Sequence, residues 1–279
     1  MLVIKDIKNF DLENTITCGQ IFRFKKEEDN SFTIVISDRV INLKYDGLNL
    51  YVDSNKEDNL EEVIKEYLDL DRDYMSIINK IKQLDDKLGK YLDNSIGLKM
   101  IKQEPIECII SYIISQNNSV RNITNSLNLI CQKYGEKVIF RDKEYCLFPK
   151  LEKLLNITEE EFRECKVGFR DKYLVSIIKS ISIGELNIDK IYEMDSSDAI
   201  NYLISFKGIG MKVASCILLF AYQKFDVYPV DTWVKKFMLE DYGIEGEANI
   251  RKFASETYKE YCGLAIQYMF NSKRNKGDY

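Results

Sequence analysis

Between Tyr202 and Trp233 the chain carries its most constraining stretch: an apolar helix end, the turn Phe206-Lys207-Gly208-Ile209-Gly210, a second helix opening at Met211-Lys212, then Tyr228-Pro229-Val230-Asp231. Two glycines flanking one apolar residue allow backbone angles closed to other residues. The helix that follows begins with amides lacking intrahelical partners, a cluster suited to an anion such as a backbone phosphate. Asp195, Ser196 and Ser197 offer caps for the entering helix, and Ile200, Leu203 and Ile204 recur at helical spacing. The unit, at about residues 196–222, reads as helix, hairpin, helix, with Gly208 and Gly210 as candidate DNA-backbone contacts.

The exit helix keeps Val213, Ile217, Leu218 and Phe220 apolar, and Lys212 shares one face with Cys216 four residues on. A helix from Met211 to Tyr222 carries the chain roughly 18 Å from Lys212 at about 1.5 Å per residue. The eight residues Gln223 to Val230 then reach roughly 26 Å at about 3.3 Å each. The spacing therefore permits Asp231 to return to Lys212. Taken singly, a helix lysine is usually a solvated side chain and an aspartate at this place usually only the N-cap of the next helix.

Order and spacing together are more specific, and they resemble the helix-hairpin-helix DNA glycosylase superfamily. The resemblance implies that Lys212 is the nucleophile of the lyase branch and Asp231 the essential aspartate at the end of the loop. Thr17-Cys18-Gly19-Gln20-Ile21-Phe22-Arg23-Phe24 resembles the Gly-Gln-x-Phe-Arg-Trp/Phe segment of the 8-oxoguanine DNA glycosylases. Ser115-Gln116-Asn117-Asn118 and Val167-Gly168-Phe169-Arg170-Asp171-Lys172-Tyr173 look like two DNA-invading loops of that family, and Tyr261-Cys262-Gly263-Leu264-Ala265 with Phe270 like its C-terminal helix.

The resemblance further implies a flipped-out base, with Asn117 and Phe169 filling the vacated space and Arg170 reading the base opposite. Cys216 and Phe270 sandwich the lesion ring. The Gly19 carbonyl accepts the N7 proton that 8-oxoguanine has and guanine lacks. Guanine would face acceptor against acceptor, and leaving such a buried group unpaired costs about 1 to 3 kcal/mol. Two positions depart from the pattern. Ile266 stands where many relatives carry a glutamine on the base's Watson-Crick edge, so that either Gln267 beside it substitutes through a small helix rotation or that edge is read more weakly, and Asn122 stands where eukaryotic members carry a second arginine.

Composition adds limits. Histidine is absent and the seven cysteines form no Cys-x-x-Cys pair, which argues against a zinc site and against a four-cysteine iron-sulfur loop, so neither metal nor cofactor is expected. Carboxylates and lysine remain as proton handlers. No apolar run approaches the roughly 20 residues of a membrane span, and the chain is expected to be a cytoplasmic monomer acting on damaged double-stranded DNA, with no membrane partner. A net charge of −5 runs against DNA binding unless basic groups are concentrated: Arg170 with Lys172, Lys207 with Lys212, and the Lys273-Arg274-Asn275-Lys276 tail, with Glu159, Glu160, Glu161 and Glu164 turned away.

Residues 1 to about 55 have strand character. Phe32 to Ile36 and Ile41 to Tyr45 are followed by an Asp46-Gly47 turn and the alternation of Leu48, Leu50 and Val52. Beyond a polar joint at Ser54 to Asp58, helical spacing dominates, with an apolar stripe at Leu60, Val63, Ile64 and Tyr67, and Pro105 opening a helix with core positions Ile106, Ile109, Ile110 and Ile113. The fold class is α+β: an antiparallel β-rich domain over residues 1–93 and a larger all-helical region over 94–279. By resemblance the sheet is TATA-binding-protein-like. The function implied is a bifunctional glycosylase and abasic-site lyase for 8-oxoguanine. The alternatives are a glycosylase for another damaged base and a non-catalytic helix-hairpin-helix DNA-binding module.

Overall fold

A computed structural model describes residues 1–274, apart from the side chains of Asn94, Lys273 and Arg274, so the basic tail lies outside the described side chains. Five antiparallel strands, β1 (Leu2–Ile4), β2 (Phe24–Lys26), β3 (Phe32–Ile36), β4 (Arg39–Tyr45) and β5 (Leu50–Ser54), form one sheet in the order β1-β5-β4-β3-β2. Its register sets Ile34 opposite Ile41 and Leu43 opposite Val52, so that alternation gathers these side chains on one face. That face packs on Leu60, Ile64 and Tyr67 of helix Leu60–Tyr67, the expected stripe. Gly47 takes a left-handed φ of +99°, and Asp46 Oδ1 accepts from the amides of Leu48 and Asn49, which closes the expected turn.

The antiparallel sheet and the larger helical region are as expected. Helices Tyr74–Leu84 and Asp86–Leu92 join the helical core while Ile101 packs into the core of the sheet, so the chain passes between the two cores more than once rather than at a single boundary near Asp93. A second hairpin, β6 (Lys137–Phe140) with β7 (Lys143–Cys146), was not expected. Its turn residues Arg141 and Asp142 both adopt positive φ, the geometry of a tight hairpin turn but without the Asn-Gly signal that announces one.

Helix Pro105–Ile114 forms the centre of the larger region, with proline in its first turn and the Glu104 side chain accepting from the Glu107 amide. It packs against the hairpin-exit helix Met211–Tyr222, where the rings of Tyr112 and Phe220 stack at 5.4 Å and 9°. Every residue from Val213 to Tyr222 is buried, so this helix is enclosed all round rather than along one stripe. The Met211-Lys212 end reaches the surface while the rest is fixed in the core. Cys18 and Phe22 belong to the helical core although they precede most of the sheet, so the Gly19 segment runs along the junction of the two cores. No helix among the described residues is long and apolar enough to cross a membrane.

Candidate active site

The hairpin forms where expected, between helices Ser196–Ile204 and Met211–Tyr222, with Asp195 capping the first through the Asp198 amide at 2.8 Å. Gly208 has a φ of +99°, and a Cβ there would lie 2.6 Å from Cβ of Tyr173, so the position needs glycine on both grounds. Gly210, in extended backbone, caps the exit helix without a side chain, and a Cβ built on it would meet nothing within 4 Å. The first turn of that helix is thus open to an approaching anion.

Lys212 is half-buried on the second residue of the exit helix, with no ion pair among the described residues. Asp231, also half-buried, caps helix Thr232–Tyr242, its Oδ1 accepting from the Val234 amide at 2.8 Å. Its Oδ2 has no hydrogen-bond partner among the described residues. The N-cap reading of Asp231 is therefore correct as structure, and it leaves one carboxylate oxygen for chemistry. Burial pushes the thiol of Cys216 up to about 11, with the charge of Lys212 lowering it, that of Asp231 raising it and that of Arg251 lowering it. Lys212 and Asp231 thus both act electrostatically on the Cys216 thiol.

Gly19 has a φ of +86° and Phe270 is half-buried on helix Cys262–Arg274. The neighbouring Gln20 is sealed and fully used: its amide nitrogen donates to the Lys99 carbonyl at 2.8 Å, and its oxygen accepts from the Ile101 amide at 2.8 Å. The Gln20 carbonyl accepts in turn from Gln103 at 2.8 Å and from the Tyr112 hydroxyl at 3.2 Å. Gly19 is therefore presented by a rigid support. Gln267 is buried and its Nε2 donates to the Cys18 carbonyl at 3.2 Å, which ties the last helix to the same segment, while Ile266 is buried beside it.

Three loops expected to meet DNA are joined to one another. Gln116 Nε2 donates to the Gly208 carbonyl at 2.9 Å, a brace that nothing in the sequence announced beyond Gln116's place in the second motif. Asn117 is exposed with a left-handed φ of +46°, and Phe169 is 54% exposed at the tip of the next loop. Arg170 differs from the expected reach toward DNA. Only 5% exposed, it donates to the carbonyls of Gln116 (Nε, 3.0 Å), Asn117 (Nη2, 3.1 Å) and Val167 (Nη1, 2.9 Å), because three inward carbonyls of two loops need donors. Its guanidinium carbon also lies 4.5 Å from the centre of the Phe169 ring. Lys172 and Lys207 are exposed as expected. Of the acidic cluster, Glu161 forms a capping box with Thr158 and Glu164 pairs with Lys133 at 2.5 Å. All seven cysteines are free, and among the described residues no cluster of three metal-ligating side chains occurs.

Two family models match the chain: 8-oxoguanine DNA glycosylase, N-terminal domain, over residues 2–109, and HhH-GPD superfamily base excision DNA repair protein over residues 110–260. The 8-oxoguanine glycosylase/lyase of Clostridium acetobutylicum, solved in complex with double-stranded DNA containing cytosine opposite 8-oxoguanine, is 35% identical. It superposes with a TM-score of 0.94 over 98% of this chain and 95% of that one. A probable N-glycosylase/DNA lyase of Methanothermobacter thermautotrophicus is 29% identical over 249 residues, 81% of this chain and 78% of its own length. The N-glycosylase/DNA lyase of Saccharomyces cerevisiae is 29% identical over 280 residues, covering 91% of this chain and 73% of its own length. Hairpin, lysine, aspartate and the two matched models together establish that the chain belongs to the HhH-GPD superfamily of base excision DNA repair proteins and, within it, to the 8-oxoguanine DNA glycosylase/lyases.

Proposed function

We propose that this protein, a cytoplasmic monomer, excises 8-oxoguanine from duplex DNA and cleaves the strand through an imine on Lys212. The observations that carry the reading are Lys212 in the open first turn of the hairpin's exit helix and Asp231 at the end of the return loop, with one carboxylate oxygen left without a partner among the described residues. Asn117 and Phe169 enter the stack and the lesion is extruded, at a cost of roughly a few kcal/mol. The ring lies between Cys216 and Phe270, and the Gly19 carbonyl accepts its N7 proton. Gln267 Oε1, which has no partner among the described residues, accepts from the Watson-Crick edge while its amide remains on Cys18.

Nζ of Lys212 attacks C1′ as the glycosidic bond breaks, and the base leaves with the bonding electrons and takes up the proton that the amine gives up on bonding to carbon. The Asp231 carboxylate faces the positive charge that develops on the sugar. Opening of the C1′–O4′ bond gives the imine. Loss of a C2′ proton then expels the 3′ phosphate.

The test is single-turnover release of 8-oxoguanine by Asp231→Asn. Because the carboxylate acts on the transition state, a rate loss of about a hundredfold or more is expected with duplex affinity near normal. Release at the native rate would reduce Asp231 to a helix cap.

A further inference from the structure

Residues 223–230 return the chain from the exit helix to Asp231, and two other elements hold their carbonyls. The Gly263 amide donates to the Phe225 carbonyl at 2.6 Å, and Arg251 Nη1 donates to the Tyr228 carbonyl at 2.6 Å. Gly263 is there because a Cβ would meet Leu219 Cδ1 at 2.4 Å. Arg251 comes from helix Glu247–Thr257 and has a side chain 22% exposed.

The contacts of Arg251 form a closed ring. Its Nη2 donates to Glu247 Oε1 at 2.9 Å, and Glu247 Oε2 pairs with Lys235 at 3.2 Å. Lys235 belongs to the helix that Asp231 caps, and its amide donates to the Asp231 carbonyl at 3.0 Å. From the Tyr228 carbonyl only Pro229 and Val230 separate the ring from Asp231, and both are buried. Proline fixes one backbone torsion of that short link. The carboxylate is thus held from both directions along the chain, with Arg251 as the tie between them.

We propose that Arg251 is a positioning residue for the reaction: by fixing the Tyr228 carbonyl it sets where the Asp231 carboxylate stands relative to Lys212. The inference rests on the role of Asp231 given above. Arg251 does not touch the substrate, since its N–H groups are directed at Tyr228 and Glu247. It acts through geometry, and a misplacement of about 1 Å at a reacting group can cost as much as a hundredfold in rate.

The experiment compares Arg251→Ala, Arg251→Lys and Asp231→Asn with the native protein in two assays. One is single-turnover release of 8-oxoguanine from duplex DNA; the other is borohydride trapping on duplex DNA that already holds an abasic site, where no glycosidic bond remains to break. Arg251→Ala is expected to slow release about tenfold while trapping stays within about threefold, and Arg251→Lys, which still donates to the carbonyl, to recover most of the release rate. Release at the native rate by Arg251→Ala, alongside a slow Asp231→Asn, overturns this inference alone. Equal losses in both assays, or no recovery with lysine, overturn it in favour of a general structural role. Native release by Asp231→Asn removes the reading beneath it. Should Arg251→Ala fail to fold, Glu247→Gln is expected to slow release about threefold with trapping unchanged, and full release there overturns the inference as well.

Discussion

The guanidinium of Arg170 lies 4.5 Å from the centre of the Phe169 ring while its N–H groups hold the carbonyls of Gln116, Asn117 and Val167. One buried cation therefore fixes both residues proposed to enter the duplex, Asn117 by its backbone and Phe169 by its ring. Gln116, bound to the Gly208 carbonyl, extends the brace to the hairpin.

Arg170→Ala leaves three inward carbonyls without their donor. A loss of about 2 to 4 kcal/mol in urea unfolding is expected, with duplex affinity reduced about tenfold as the two loops separate. Arg170→Lys should recover little of either, because an ammonium cannot reproduce the planar fork. Stability and anisotropy-measured affinity both unchanged in Arg170→Ala would show that the loops hold their shape without it.

Cys216 gives a pH dependence with a definite sign. Burial raises its thiol from an ordinary 9.0 to about 11, so the unfolded chain releases this proton first as pH rises. The stability tied to the neutral thiol is fully present below pH 9.0 and is lost between there and about 11, by about 3 kcal/mol in all. Cys216→Ala should accordingly lose less stability across that window than the native protein. Other buried thiols and phenols titrate in both proteins and cancel in the difference. Parallel alkaline arms in guanidinium unfolding curves would contradict the assignment.

The hairpin was legible because its glycines carry backbone demands, and the sheet because alternation in Phe32 to Ile36 and Ile41 to Tyr45 is a direct consequence of the pleat. Lys212, Asp231 and Cys216 stand out in the sequence through spacing and resemblance, and their roles rest on those. Arg170 is linked to DNA by the resemblance of its loop; its burial, which the sequence does not announce, depends on carbonyls from a segment about fifty residues away in sequence. Arg251 carried no signal, since Glu247 and Arg251 form an ordinary i, i+4 helix pair until the fold brings the Tyr228 carbonyl to it. The β6 and β7 hairpin was hidden by a turn built from Arg141 and Asp142.

Asn122 lies exposed in the first turn of helix Val120–Tyr134, its amide held by Ser119 Oγ at 3.3 Å. An asparagine there is too short to replace an arginine fork, which contributes about 1 to 3 kcal/mol of discrimination for a base it reads. Excision opposite cytosine should be favoured less sharply than in a member with both arginines, and Asn122→Arg should sharpen it. Single-turnover rates with C, A, G and T opposite the lesion decide this. A strong native preference for cytosine, or no gain from Asn122→Arg, would place opposite-base choice elsewhere.

The covalent role of Lys212 is the central claim, and borohydride trapping on duplex DNA containing 8-oxoguanine tests it most directly. Reduction should convert the imine into a stable cross-link, seen as a slower-migrating protein–DNA band whose tryptic peptide carries the adduct at Lys212, and Lys212→Gln should abolish the band while still binding the duplex. Undiminished trapping by Lys212→Gln, or a native protein that binds the lesion duplex and never cross-links, would contradict it.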